Sequence, residues 1–131
     1  MMAGSLRALH FIRQDAGSYG DLADQRAVFA VACTARGWQA GGAVRQIGSG
    51  PHAWSAVVRL VGSGAYGVVV VDTLERLAAT ETGRMAVLGL LRRTGVRLLV
   101  AREPLDTGDA IGRALADSLL DPEEQRTPLA A

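Results

Sequence analysis

Residues 68–80 read Val-Val-Val-Val-Asp-Thr-Leu-Glu-Arg-Leu-Ala-Ala-Thr. Four valines in a row have no polar alternation, so both faces of the strand they form must be covered. That is the habit of a parallel sheet with helices on either side. Beyond the strand, Glu75 and Arg76 stand between Leu74 and Leu77. A charged pair at the exit of a buried strand is either working chemistry or its remnant.

Outward from this strand the chain alternates in type. Leu6 to Ile12 is apolar enough for a central strand, and a turn-rich loop follows over Gly17, Ser18, Tyr19, Gly20 and Asp21. The spacing of Leu22, Val28, Phe29, Ala32 and Cys33 predicts a helix over Leu22–Arg36, stopped by Gly37. Trp38–Ile47 reads as a second strand. Pro51 is placed to open a helix over His52–Val61. After the valines, Thr80 or Thr82 caps a helix that reaches Arg93, with Thr94-Gly95 as its end. Val96–Ala101 is a fourth strand, and the loop Arg102–Thr107 leads into a last helix over Asp109–Leu120. Asp121-Pro122 stops that helix.

This order predicts a three-layer α/β fold: a mostly parallel four- to five-stranded sheet with helices on both faces. At 131 residues the chain suits one domain. Residues 1–121 are expected to form it, and 122–131 to be a flexible C-terminal tail. No apolar run is long enough to cross a bilayer. The N-terminus has no secretory pattern, so a cytoplasmic protein is expected. Formal net charge is +1, which gives no global case for nucleic-acid binding. Every basic residue is arginine, a coding bias rather than a mechanism.

The one cysteine, Cys33, reads as a small buried hydrophobe, and His10 and His52 have no ligand-like spacing. No metal or other cofactor is expected. Gly48-Ser49-Gly50 and Gly62-Ser63-Gly64 are not followed by the residues of a phosphate loop. Trp38 and Trp54 read as core or interface anchors, and Arg92 and Arg93 as a solvated helix end.

Sites on parallel sheets gather at the carboxyl ends of the strands. Here those ends carry Arg13, Gln14 and Asp15; Gln46 to Gly50; Leu74 to Arg76; and Arg102 to Thr107. In this order they resemble the N-terminal catalytic domain of the serine recombinases, the resolvase and invertase group. The family's Tyr-x-Arg-Val-Ser appears as Phe11-Ile12-Arg13-Gln14-Asp15, and a glutamine of its first helix as Gln25. Its Gly-Trp is Gly37-Trp38, and its Asp-x-x-Ser-Gly loop is Gln46-Ile47-Gly48-Ser49-Gly50. Its Leu-Asp-Arg-Leu-Gly-Arg motif is Leu74-Glu75-Arg76-Leu77-Ala78-Ala79. Gly95-Val96, Asp106-Thr107 and Gly112 complete a likeness over roughly residues 8–118.

In that family a serine hydroxyl attacks a DNA phosphodiester, and arginines neutralise the phosphoryl charge. The resemblance places Asp15 where the nucleophile stands, Gln46 at an acidic position and Ala79 at an arginine. Ser18 is a poor substitute. Arg13, Ser49, Glu75 and Arg76 are what the resemblance leaves of the site. It therefore implies a degenerate domain without strand cleavage, in which Glu75 and Arg76 pair with Arg13 or Asp15.

A non-catalytic interaction or regulatory module is the expected function, as a homodimer or with a protein partner. The expected contact face is the apolar stripe Ile111, Leu115, Leu119 and Leu120 of the last helix. The alternative is a DNA-binding recombinase that keeps phosphate contacts through Arg13 and Arg76.

Overall fold

The valine run is the inner strand of a five-stranded sheet. The computed structural model describes residues 6–14, 19–47, 52–103 and 105–120. Its strands are β1 (Arg7–Gln14), β2 (Gln39–Ile47), β3 (Val68–Val71), β4 (Leu98–Val100) and β5 (Leu105–Asp106). They lie in the order β2-β1-β3-β4-β5. The first four are parallel, and β5 pairs antiparallel with β4, setting Val100 opposite Leu105.

Alternation along β3 explains its composition. Val69 and Val71 join one core with Leu9, Phe11, Trp54, Leu88 and Leu98, while Val68 and Val70 face Phe29, Ala32 and Cys33 on the other side. Each fully buried valine contributes about 1.5–3 kcal/mol. A polar residue on either face would forfeit that.

The helices are α1 (Tyr19–Arg36), α2 (His52–Gly62), α3 (Glu81–Thr94) and α4 (Ala110–Leu120). α1 covers one face of the sheet, with Phe29, Ala32 and Cys33 turned onto it; α2 and α3 supply the core of the other. α1 begins three residues before the expected Leu22, because the polar first turn carries no apolar signal. Of the two candidate caps, Thr80 holds α3: its hydroxyl accepts from the Gly83 N–H at 3.0 Å. Gly95 ends α3 in the left-handed conformation, φ 72°, and its N–H returns to the carbonyls of Arg92 and Leu91.

Trp54 ties α2 to the segment after β3. Its ring stacks on Phe11 at 3.9 Å, and its indole N–H donates to the Leu77 carbonyl at 2.8 Å. Leu74–Leu77 is thereby held as one 3₁₀ turn.

Two expectations need correction at the C-terminal side. The stretch Arg102–Thr107, read as a loop, contains β5. Two residues are too few to show periodicity, and what secures them is Arg97 gripping Asp106 and the Thr107 hydroxyl accepting from the Leu98 N–H at 2.8 Å. Leu120 does not belong to the exposed stripe of α4: it is half-buried, packs on the main core and lies beside Gly89 of α3. Ile111, Leu115 and Leu119 are exposed as expected, at 75%, 45% and 45%. The boundary at 121 and the tail 122–131 lie outside the described residues.

α4 sits against β5 so closely that a side-chain carbon at Gly112 would strike the Asp106 backbone. Gly112→Ala is expected to destabilise the domain by about 2–3 kcal/mol, read as a fall in midpoint of denaturant unfolding.

His10 is buried at 3% exposure and stacks on Phe29, ring centroids 4.4 Å apart. Burial, and then the charge of Arg26, lower its pKa to about 4. The unfolded chain takes up this proton first as pH falls, so stability drops between the ordinary histidine range and pH 4, by about 3 kcal/mol in all. His10→Leu is expected to remove that part of the acid sensitivity; equal unfolding profiles for both proteins across this range would contradict it.

Candidate functional site

The carboxyl ends of β1 and β3 meet at Arg13 and Arg76. Arg13, at the end of β1, is 3% exposed. Its backbone is clamped by the side chain of Gln25 from α1: the Arg13 N–H donates to Oε1 at 3.3 Å, and Nε2 donates to the Arg13 carbonyl at 3.0 Å. Gln25 is fully buried, and its Nε2 also donates to Asp21 at 3.0 Å. The glutamine therefore fixes both the strand end and a carboxylate one helical turn away.

That carboxylate holds Arg76. Asp21 Oδ1 accepts from the Arg76 guanidinium at 2.5 Å, and Asp72 lies 3.7 Å from it. Asp72, 4% exposed at the end of β3, also receives the Nε–H of Arg102, one of whose terminal nitrogens reaches Asp24 at 3.2 Å. The hydrogen bond that Arg102 donates to Asp72, with the carboxylate charges around it, raises the pKa of Arg102. A ladder of alternating charge thus runs from Asp24 through Arg102, Asp72 and Arg76 to Asp21. It joins α1, β3 and the segment after β4. Asp72 is the buried member of this set, and the arginines around it compensate a charge that would otherwise be costly to keep.

Arg76 turns to Asp21 and Asp72, and Glu75 is exposed. Asp15, Ser18 and Ser49 lie outside the described residues. Gln46 is buried, and its Oε1 accepts from the Ala53 N–H at 3.1 Å, capping α2.

Beside the ladder opens a cleft of about 280 Å³ lined by Arg13, Thr73, Glu75, Arg76, Ala79 and Arg84. Arg84, which the sequence did not single out, leans back from α3. Its guanidinium donates to the carbonyls of Ala78 and Ala79 at 3.2 and 3.4 Å. An arginine of α3 thus stands beside Ala79. The Nε of Arg76 is buried with no hydrogen-bond partner among the described residues. The cleft could take an oxyanion. A hollow of similar size, about 290 Å³, lies along α1 by Val31 and Ala101, but it is apolar and brings no polar groups together. Among the described residues no three His, Cys, Asp or Glu side chains converge as metal ligands.

No family model and no curated protein sequence matches the chain. Solved structures do. The N-terminal catalytic domain of TP901-1 integrase superposes with a TM-score of 0.74 at 18% identity, over 95% of this chain and 99% of that one. A resolvase family site-specific recombinase from Streptococcus pneumoniae gives 0.71 at 15% identity, over 96% and 93%. The C-terminal catalytic domain of ISC1926 TnpA, an IS607-like serine recombinase, gives 0.61 at 23%, over 73% and 70%. The chain has the fold of serine-recombinase catalytic domains.

Because Asp72 carries two arginines, Asp72→Asn is expected to destabilise the protein by about 3 kcal/mol. Glu75→Gln, on the exposed side, should change stability by less than about 0.5 kcal/mol. Paired urea titrations of the two variants check this; equal effects would contradict the ladder.

Proposed function

We propose that this chain is a recombinase-like domain that does not cleave DNA and works as a protein-interaction module. The observation that carries the reading is the capture of Arg76 by Asp21 and Asp72. A guanidinium already neutralised by two carboxylates stabilises a phosphoryl transition state poorly, since its charge must first be released from a partly buried pair. Asp15 at the position of the family nucleophile adds a second reason, because a carboxylate repels a phosphodiester and cannot form a serine ester.

The face for a partner is α4, where Ile111, Leu115 and Leu119 are exposed in one stripe. Leu115 and Leu119 continue into an apolar hollow of about 210 Å³ with Leu74 and Leu105. Contact between copies through this face would bury the stripe and give a homodimer. Among the described residues no helix is long and apolar enough to cross a membrane, and a cytoplasmic location belongs to this reading.

One observation favours the alternative of a DNA phosphate contact: Arg13, Arg76 and Arg84 line one cleft, and the Arg76 Nε has no partner there. Incubation with supercoiled plasmid, followed by denaturing electrophoresis, separates the two. Neither nicking nor covalent protein–DNA product is expected, and either one would overturn the non-catalytic reading. Sedimentation should show a dimer that Leu115→Glu converts to monomer; a monomeric wild-type protein at tens of micromolar, with no partner recovered, would remove the interaction role.

A further inference from the structure

The two ends of the sheet differ in charge. At the carboxyl end, Arg76 and Arg102 are bound by Asp21, Asp24 and Asp72, and Glu75 and Glu81 stand exposed nearby. The amino end is different. Arg7 opens β1, and Arg97 immediately precedes β4. The crossover helices return the chain to that end, so the last turns of α1, α2 and α3 deliver Arg36, Arg59 and Arg93 to it. Arg7, Arg36, Arg59 and Arg93 are exposed, and none has a carboxylate partner among the described residues. The carboxylates at this end are already engaged: Asp106 holds Arg97, and Asp109 accepts from the Gly112 N–H at the start of α4.

Complementing helix dipoles accounts for an arginine in a last turn. It does not account for Arg7, or for the aromatic rings set among these arginines. The Arg7 guanidinium lies 4.7 Å from the centre of the Tyr66 ring, and Trp38 has Arg36 at 5.5 Å and Arg97 at 5.0 Å. Tyr66 and Trp38 are half-buried. Guanidiniums held against rings present their N–H groups in fixed directions, which suits phosphate oxygens. They also offer flat surfaces on which unpaired bases can stack.

We propose that the amino end of the sheet binds single-stranded nucleic acid, with phosphates on Arg36, Arg59 and Arg93 and bases against the Arg7–Tyr66 and Arg97–Trp38 pairs. The surface lies at the opposite end of the sheet from the arginine cleft. It is independent of whether that cleft cleaves DNA. Charge complementarity selects a polyanion, and the aromatic–guanidinium faces select one with exposed bases.

The test is fluorescence anisotropy of a labelled mixed-sequence single-stranded oligonucleotide, titrated at several salt concentrations. The wild-type protein should bind at low salt, and Arg36→Ala/Arg59→Ala/Arg93→Ala should weaken binding about tenfold or more, with the slope of log K against log salt smaller by about 2. All three side chains are exposed, so the variant should fold; circular dichroism verifies that. Arg84→Ala, at the other end, should change affinity by less than about twofold. Three results would overturn the proposal: no binding by the wild type at low salt, wild-type affinity in the triple variant, or an equal loss in Arg84→Ala. Displacement by polyglutamate or by duplex DNA as effective, per charge, as the unlabelled single strand would overturn the base-stacking part and leave a surface selective for charge alone.

Discussion

A carboxylate buried at the end of a parallel strand must be compensated, and Asp72 is that group here. The valines before it place it at the rim of the core, 4% exposed, where an unpaired charge is too costly to keep. Arg76 and Arg102 both come to it. One arrives from the 3₁₀ turn directly after β3, the other from the segment after β4. By drawing both inward, Asp72 sets the course of the chain beyond two strands, and Asp21 and Asp24 extend the pairing to α1. Gln25 closes the arrangement on the backbone of Arg13. Local order at this end of the sheet follows from charges satisfying one another.

The same pairing separates fold from chemistry. Likeness to recombinase catalytic domains extends over nearly the whole chain at 18% and 15% identity in two solved structures. Such a likeness fixes the path of the backbone, and function resides in the groups placed on it. Arg13 and Arg76 stand at the ends of two neighbouring strands, yet Arg76 faces carboxylates. At the other end of the sheet Arg97 is matched by Asp106, while Arg7, Arg36, Arg59 and Arg93 are exposed without a carboxylate partner among the described residues.

Much of the fold was legible in the sequence because its signals are local. Four adjacent valines announce a strand covered on both faces, Thr80 and Gly95 bracket α3, and the apolar period of α1 places Cys33 in the core. The errors have a common cause. β5 is two residues long, and an antiparallel partner across a tight turn leaves no pattern to read. Leu120 has the same spacing as Leu119 to within one residue, and only the space beside Gly89 decides that it turns inward. At the site, the motif residues Arg13, Glu75 and Arg76 were visible from resemblance. Asp21, Asp72 and Arg84 were not, since an ion pair between residues 55 apart leaves no trace in spacing. Asp72, a carboxylate directly after a buried strand, was the one available signal.

The claim that Arg76 is held within the fold is tested most directly by following its side-chain Nε–H resonance by nitrogen-correlated NMR during titration with inorganic phosphate. A guanidinium held by Asp21 and Asp72 predicts a resonance that stays unchanged through millimolar phosphate, and that moves in the Asp72→Asn protein. A saturable shift in the wild-type protein would show that Arg76 is available to a phosphate group, and would contradict a site neutralised from within.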